Sequence, residues 1–282
     1  MLRSPDYWEA AWHDGAVRQA QARLAGAAVV VLIGAALGAA AALPRGHSPP
    51  GGHRGGRTVA APAGAAPAGT ATASSSTAPR VAGPPPSLIA MLRSPEGWSR
   101  RPGGPVAGRL SGHNPFGQPQ VLAVVGRPSP GGWVEVELPV RPNGSLGWIA
   151  LHDVTLTETG YRVTVDLATR RVTVTDGTRV VLSTPAAVGT PSTPTPSGHT
   201  YLWELVRPGD PSGPYGPYIF GLAMFSDAYA TFNGGDAQIG MHGQDEPGSI
   251  GRAASHGCIR LPNPVISRLA AMLPLGTPVT IR

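Results

Sequence analysis

Apolar and polar positions divide this chain into segments of different character. Residues 24–43 form an uncharged run of 20, rich in Ala, Val, Leu and Gly. That length suits one membrane-spanning helix, so we predict a transmembrane anchor there, preceded by a short segment at residues 1–23. A cleavable signal peptide, cut after the alanines at 40–42, is the alternative. The 23 residues before the run exceed a typical signal-peptide head, which favours the anchor.

A different composition follows the apolar run. Residues 44–86 consist mainly of Pro, Gly, Ala, Ser and Thr, with four arginines and no acidic residue. Such a segment has too few apolar side chains to offset the entropy lost on ordering. We therefore predict a disordered Pro/Gly/Ala linker.

Residues 87–158 carry the signals of short strands. Residues 132–138 alternate apolar with charged positions, residues 121–125 are continuously apolar, and Pro-Asn-Gly at 142–144 indicates a turn. Two Gly-Trp pairs, at 132–133 and 147–148, give this region a loose resemblance to bacterial SH3-like modules. We predict a small β module whose role is binding, packing against its neighbour, or spacing.

Residues 161–282 are expected to be mainly β. Residues 161–166 and 171–174 alternate, and Asp-Gly at 176–177 indicates a hairpin turn. Apolar residues recur at helical spacing from Asn263-Pro264, read as the cap, to about Leu273. A last strand is predicted at 278–281. The segment therefore contains one clear helix.

The candidate chemistry lies before that helix. Cys258 is the only cysteine, and His242, His256 and Arg260 lie close to it in the sequence. A thiolate is the reactive form of cysteine, and a histidine can take up the thiol proton. If the segment around Cys258 is extended, His256 lies on the same side, whereas His242 must come from a neighbouring strand. The residues alone leave the choice of base open.

The surrounding residues suit acyl transfer. Gly257 permits close approach of a ligand, and the N–H groups of Gly257 and Cys258 can face an oxyanion. Arg260 can grip a carboxylate with two N–H groups. The alternatives are a buried structural cysteine with structural histidines, and a zinc site completed by Asp245. The combination of reactive types weighs against the first, and the missing paired-Cys spacing weighs against the second.

Charge narrows the class of substrate. The net charge is +6, but residues 161–282 contain nine arginines and eight acids and are nearly neutral. A nucleic-acid enzyme should carry its basic footprint around its site, so we predict no nucleic-acid partner. The cysteine has no second cysteine to pair with, which is compatible with an oxidising exterior.

The motifs closely resemble those of the L,D-transpeptidase catalytic domain of bacterial cell-wall enzymes. They are His-Gly at 242–243, Ser-His-Gly-Cys-Ile-Arg at 255–260, and the flanking runs 189–191, 195–198, 215–218, 249–252 and 261–263. The resemblance implies a β-sandwich over residues 161–282. It assigns the site residues as follows: Cys258 nucleophile, His242 general base, Gly243 carbonyl orienting the imidazole, His256 lining the oxyanion side, and Arg260, Tyr218 and Ser255 binding substrate.

The resemblance also implies the reaction. Cys258 would form a thioester with a peptidoglycan tetrapeptide donor, and an amine acceptor would resolve it into a 3-3 cross-link. It implies no cofactor, no metal and sensitivity to carbapenems. L,D-carboxypeptidase, protein-anchoring and sortase-like activities are the enzymatic alternatives, and a non-catalytic wall-binding protein is another. A wall enzyme must face outward, so residues 1–23 would be cytoplasmic and the catalytic domain outside. Secretion after signal cleavage is the alternative location.

Overall fold

The computed structural model describes residues 83–282, and these residues fall together in one compact unit. The predictions for residues 1–23 and 24–43, and for the linker up to residue 82, lie outside the described residues. Residues 83–86 are exposed and belong to no strand. No helix within residues 83–282 is long and apolar enough to cross a membrane.

The first half of the described chain forms two small antiparallel sheets. Strands β4, β1 and β7 form one sheet, and β3, β2, β6 and β5 form the other, each in that order. The strands are β1 (Ser87–Leu92), β2 (Glu96–Ser99), β3 (Val106–Leu110), β4 (Val121–Ala123), β5 (Trp133–Glu137), β6 (Leu146–Ala150) and β7 (Val154–Thr159), with a 3-10 turn at Leu151–Asp153. The strands predicted at 121–125 and 132–138, and the turn at 142–144, are therefore present. The SH3-like assignment stays a prediction.

This β module shares its core with the strands that follow. Alternate residues of β1, β5 and β6 point inward and are fully buried, among them Ala90, Val134 and Ile149. Tyr201, Trp203 and Ala223, from the second half of the chain, belong to the same cluster. The β module therefore packs on the second half of the chain through this apolar cluster, and wall binding stays an open alternative for its role.

The second half is built on one curled sheet of eight strands, in the order β10-β9-β8-β17-β12-β13-β14-β16. Its strands are β8 (Tyr161–Asp166), β9 (Arg171–Asp176), β10 (Arg179–Pro185), β12 (Gly198–Val206), β13 (Ile219–Phe225), β14 (Gln238–His242), β16 (Ile259–Arg260) and β17 (Pro278–Ile281). The short strands β11 (Val188–Gly189) and β15 (Ala253–Ser255) pair in parallel beside it, and a 3-10 turn lies at Pro247–Ser249. Where the resemblance implied a sandwich, the structure has this single curled sheet.

Both ends of the curled sheet contribute to one core. Valines of β8 and β9, such as Val163 and Val174, lie in the same buried cluster as Leu222, Ile239 and Met241 from β13 and β14. Burying such side chains stabilises the fold by roughly 1.5–3 kcal/mol each. This packing fixes the position of β14, the strand that ends at His242.

The predicted helix is present as α1 (Asn263–Met272), the one α-helix within residues 83–282, and Ile266 and Leu269 are its buried side. The predicted cap is wrong. Pro262 precedes the first turn and makes no side-chain cap bond, and Asn263 is already helical. The Asn263 amide oxygen instead accepts a 2.8 Å hydrogen bond from the N–H of Gln244, so this side chain serves the loop after β14.

Candidate active site

Two parallel strands bring the histidine and the arginine of the motif side by side. In β14 and β16, Met241 pairs with Ile259 and His242 pairs with Arg260. Met241 and Ile259 are completely buried in the core. Because side chains alternate along a strand, His242 and Arg260 share the opposite face. Gly240, two residues before His242 on the same strand, lies on that face too.

His242 is buried, with 3% of its surface exposed. Its Nδ1 lies 2.5 Å from the carbonyl oxygen of Gly243. A carbonyl oxygen only accepts hydrogen bonds, so Nδ1 carries the proton and Nε2 keeps its lone pair. The structure thereby places the Gly243 carbonyl where the resemblance implied it. Burial, and secondarily the positive charge of Arg260, lowers the pKa of His242 to about 4, although the Gly243 carbonyl opposes this shift.

The Cys258 thiol faces the same strand. Its Sγ accepts a 3.4 Å hydrogen bond from the N–H of Gly240. A Cβ added to Gly240 would lie 3.6 Å from His242 Cδ2 and 3.7 Å from Cys258 Sγ. Cδ2 is bonded to Nε2, so the lone-pair edge of the imidazole and the sulfur converge on one small space. The backbone of Gly240 leaves that space open because it has no side chain.

The thiol and the imidazole are both neutral at rest. Burial raises the pKa of Cys258, and the Gly240 N–H and the charge of Arg260 only partly oppose it. His242, with its pKa near 4, is unprotonated at neutral pH. The arrangement is therefore a neutral thiol beside an imidazole with a free lone pair, rather than a resting thiolate–imidazolium ion pair.

A tight turn presents Cys258. Strand β15 ends at Ser255, and Gly257 has a φ of 122°, so the segment is not extended and the condition for grouping His256 with Cys258 is not met. The Ser255 hydroxyl donates to the Cys258 carbonyl at 2.5 Å and accepts from the Gly257 N–H at 3.1 Å. The second of these bonds occupies the Gly257 N–H, one of the two N–H groups predicted from the sequence to face an oxyanion. The N–H of Cys258 is the other donor named there.

Ser255 does not reach the open site. The resemblance implied a substrate-binding residue, but only 1% of Ser255 is exposed and its hydroxyl bonds within the turn. A hydroxyl that both donates and accepts inside the protein has little capacity left for a ligand. Ser255 is a turn-holding residue in this structure, and the substrate-binding prediction is corrected accordingly.

The loop between β11 and β12 supports the turn from behind. Thr195 Oγ1 accepts from the Gly189 N–H at 2.9 Å and donates to the Gly257 carbonyl at 2.8 Å. Thr193 Oγ1 donates to the Ser255 carbonyl at 3.2 Å. Both threonines are buried. The sequence marked this loop only through its resemblance, and its role of fixing the turn was not predicted.

Tyr215 borders the imidazole. Its ring meets His242 edge-on, with the ring centroids 5.0 Å apart. Burial, followed by the proximity of Cys258, raises the pKa of Tyr215, while a hydrogen bond with Asn233 opposes the rise. The sequence prediction chose Tyr218 from the same run. The Tyr218 ring lies under the Arg207 guanidinium at 5.4 Å, and its carbonyl accepts from the Gly243 N–H at 3.3 Å. Tyr215 is therefore the aromatic residue that contacts the histidine.

His256 and Arg260 occupy the outer part of the site. His256 is exposed, and its ring centroid lies 5.6 Å from that of Phe232. Arg260 keeps 22% of its side chain exposed and pairs with Glu246 at 3.4 Å. Its Nε is buried and makes no hydrogen bond within residues 83–282. An arginine with an unused donor and an exposed partner can exchange that partner for another carboxylate.

The described residues contain no set of side chains suited to bind a metal ion. Across residues 83–282, no three His, Cys, Asp or Glu side chains are arranged to hold a metal ion. Asp245, the residue named as a fourth zinc ligand, belongs to no such cluster.

Comparison with known proteins supports the resemblance. Residues 160–281 match the family model of the YkuD L,D-transpeptidase catalytic domain. The YkuD proteins of Bacillus subtilis and Bacillus licheniformis, both named for L,D-transpeptidase activity, are each 36% identical over 121 residues, or 43% of this chain. The match spans 65% of the length of these relatives.

Two solved structures give weaker matches. A mutant L,D-transpeptidase of Enterococcus faecium is 25% identical, with a TM-score of 0.34, and the match covers 44% of this chain and 50% of that one. An L,D-transpeptidase from Mycobacterium smegmatis is 18% identical, with a TM-score of 0.36, over 57% of this chain and 90% of that one.

Proposed function

We propose that this protein is a cysteine-dependent peptidoglycan L,D-transpeptidase, from the premise that residues 160–281 belong to the L,D-transpeptidase catalytic domain family. The donor in this proposal is a tetrapeptide stem, the acceptor is an amine on a neighbouring stem, and the product is a 3-3 cross-link. One observation carries the proposal. The Cys258 sulfur and the His242 imidazole converge on the space above Gly240.

The first half-reaction starts from the neutral pair. The Cys258 sulfur attacks the carbonyl carbon of the third stem residue while the thiol proton passes to Nε2 of His242. The tetrahedral intermediate collapses, the C–N bond to the terminal D-alanine breaks, and the proton leaves with the amine. A thioester remains on Cys258. In the second half-reaction the acceptor amine attacks that thioester and the sulfur regains a proton through His242.

The N–H of Cys258 is the proposed donor to the oxyanion. It belongs to the turn held by Ser255 and Thr195, so its direction is fixed before substrate binds. A donor that is already oriented stabilises the developing charge without reorganisation. The exposed imidazole of His256 is placed beside this turn and completes the polar lining in the proposal.

Arg260 is the proposed anchor for a stem carboxylate. It shares a face with His242, and its buried Nε has no partner among residues 83–282. The Glu246 carboxylate that pairs with it at 3.4 Å is largely exposed. A substrate carboxylate that displaced Glu246 would gain a two-pronged contact with the guanidinium.

The location proposed for the enzyme is the outer face of the cell membrane. Residues 24–43 would anchor the chain and the following linker would carry the catalytic domain toward the wall. Protease treatment of intact protoplasts tests this. Cleavage of the catalytic domain in intact protoplasts supports it, whereas protection until the membrane is broken contradicts it.

The reaction itself is tested with a purified disaccharide-tetrapeptide. Wild-type protein should release D-alanine and produce dimers joined through two third residues, and Cys258→Ala should produce neither. Mass spectrometry of the products separates dimers from hydrolysed tripeptide, which an L,D-carboxypeptidase would release. Equal products from wild type and Cys258→Ala would refute the proposal. A carbapenem mass added to Cys258 would independently exclude an inert wall-binding protein.

A further inference from the structure

A hairpin formed by residues 226–237, called here the hairpin arm, connects β13 to β14 beside the site. At its base the Ser226 N–H donates to the Ala237 carbonyl at 2.8 Å. At its tip Phe232 and Gly235 exchange two backbone hydrogen bonds of 3.0 Å. Asn233 and Gly234 between them have positive φ of 48° and 82°, the conformation of a two-residue primed turn.

The tip of the hairpin arm contacts the residues around Cys258. The Phe232 ring packs on His256, with ring centroids 5.6 Å apart. Asn233 hydrogen-bonds the side chain of Tyr215, and the Tyr215 ring meets His242 edge-on at 5.0 Å. The position of the arm therefore determines two walls of the site.

The arm itself buries little. Most of its residues are exposed, including the run from Asn233 to Asp236. A segment with so few buried apolar contacts has low local stability and depends on specific polar contacts for its order. Those contacts come from the turn between β5 and β6 of the N-terminal β module.

Arg141 of that turn reaches three carbonyl oxygens of the arm. Its guanidinium donates to Ser226 at 2.9 Å, to Tyr229 at 3.0 Å and to Asp236 at 2.9 Å. These carbonyls lie on both sides of the arm, so one planar group ties its outgoing and returning segments together. The guanidinium also lies 5.1 Å from the centroid of the Phe225 ring, at the base.

Asn143 binds the residue from which the arm begins. Its amide accepts a 2.8 Å hydrogen bond from the Phe225 N–H and donates a 2.8 Å bond to the Phe225 carbonyl. This pair of hydrogen bonds to one residue's backbone resembles the pairing with a neighbouring strand and fixes the end of β13. A weaker contact of 3.4 Å reaches Asp227.

We propose that Arg141 and Asn143 are positioning residues through which the N-terminal β module holds the hairpin arm against His256 and Tyr215, and so sets the affinity for the donor stem. This role rests on the proposed transpeptidase function. The β module would then influence substrate binding indirectly, since neither residue touches the substrate.

The test compares Arg141→Ala, Asn143→Ala and the conservative Arg141→Lys with Arg127→Ala, which alters an exposed arginine of the same module. Hydrogen–deuterium exchange without substrate is the first measurement. Exchange of residues 226–237 should accelerate about tenfold in both alanine variants and remain unchanged in Arg127→Ala. Arg141→Lys should fall between them, because one ammonium keeps the charge but cannot reach three carbonyls.

Kinetics with the tetrapeptide donor is the second measurement. The alanine variants should raise the KM for the donor about five- to tenfold while kcat changes less than about twofold, a split that general destabilisation does not produce. Unchanged exchange in Arg141→Ala would show that Arg141 does not hold the hairpin arm. Faster exchange with unaltered KM would overturn the role in substrate binding.

A failure of the proposed function is distinguishable from a failure of this inference. If wild type does not turn over the tetrapeptide, the rate of Cys258 alkylation by a bulky maleimide replaces the kinetic measurement. If Arg141 holds the hairpin arm, alkylation should be faster in Arg141→Ala than in Arg127→Ala. Equal rates would contradict the proposal.

Discussion

The Cys258 sulfur accepts its hydrogen bond from the N–H of Gly240, two residues before His242 on the same strand. This contact ties the sulfur that we propose as the nucleophile to the strand that carries His242, the proposed base. Substrate, thiol and imidazole must then meet above a residue with no side chain.

A methyl group at Gly240 should impair the chemistry more than the fold. In Gly240→Ala the new Cβ would meet Ile219 at 3.3 Å and would contact both His242 Cδ2, at 3.6 Å, and Cys258 Sγ, at 3.7 Å. We expect kcat/KM for the donor to fall about 100-fold, since small displacements of reacting groups are costly, while the melting temperature changes little. Gly248→Ala is the matched control, because a Cβ there meets nothing within 4 Å. Equal activities of the two variants would show that the space above Gly240 is not used.

The pH dependence should separate the neutral pair from an ion pair. Because burial raises the pKa of the Cys258 thiol, its alkylation by iodoacetamide should increase with pH up to values above the ordinary thiol range. Acylation by the tetrapeptide should instead persist in mildly acidic buffer and fall only near pH 4, where His242 becomes protonated. Stopped alkylation time courses and donor acylation rates from pH 4 to 10 measure both. An alkylation midpoint below pH 7 would indicate a resting thiolate.

The threonine behind the turn should matter for activity. Thr195→Val removes the hydroxyl that bridges the half-buried Gly189 N–H and the buried Gly257 carbonyl, so both groups lose this partner. We expect a loss of about 1–3 kcal/mol in unfolding free energy and a lower kcat, because the turn that carries Cys258 loses its support. Urea unfolding and donor turnover measure the two effects. Ser197→Ala, at an exposed position of the same loop, should change neither.

Two buried carboxyls should make the fold less stable at alkaline pH. Burial raises the pKa of Glu204, and that of Glu137 in the β module, from 4.5 to about 8. The unfolded carboxyl ionises above pH 4.5, whereas the folded one stays protonated up to about pH 8. The contribution of this group to stability is therefore complete below pH 4.5 and is lost as the pH rises to about 8. The unfolding free energy should fall between pH 5 and 9, by on the order of 3 kcal/mol per carboxyl. Denaturant unfolding at both values checks this, and Glu204→Gln should reduce the fall; an equal fall in that variant would exclude Glu204 as a source.

Sequence periodicity predicted the elements whose residues alternate against a core. The strands at 161–166 and 278–281 and the helix from residue 263 are examples, because burial of one face determines their pattern. The order of the eight strands in the curled sheet could not be predicted from periodicity, since strand order depends on long-range pairing. The cap at Asn263 was misread because a tertiary contact with Gln244 took the side chain that local rules assigned to the helix.

The site residues likewise include some that the local sequence predicted and others that only long-range contacts reveal. The motif predicted Cys258, His242 and Arg260, and the structure brings these three together through the pairing of β14 with β16. Tyr215 and Thr195 were missed as site residues, and Arg141 as a proposed positioning residue, because their contacts join segments distant in sequence. The double glycine-histidine pattern could not rank its two histidines, whereas burial and the Gly243 carbonyl distinguish His242 from the exposed His256.

The most direct test of the account is the rate at which Cys258 is acylated by the tetrapeptide donor, followed by intact-protein mass spectrometry in His242→Ala and His256→Ala. We expect His242→Ala to lose at least about 100-fold in the acylation rate, since the proton of a neutral thiol then has no acceptor, and His256→Ala to lose less than about tenfold. Loss of acylation in His256→Ala with normal acylation in His242→Ala would contradict it.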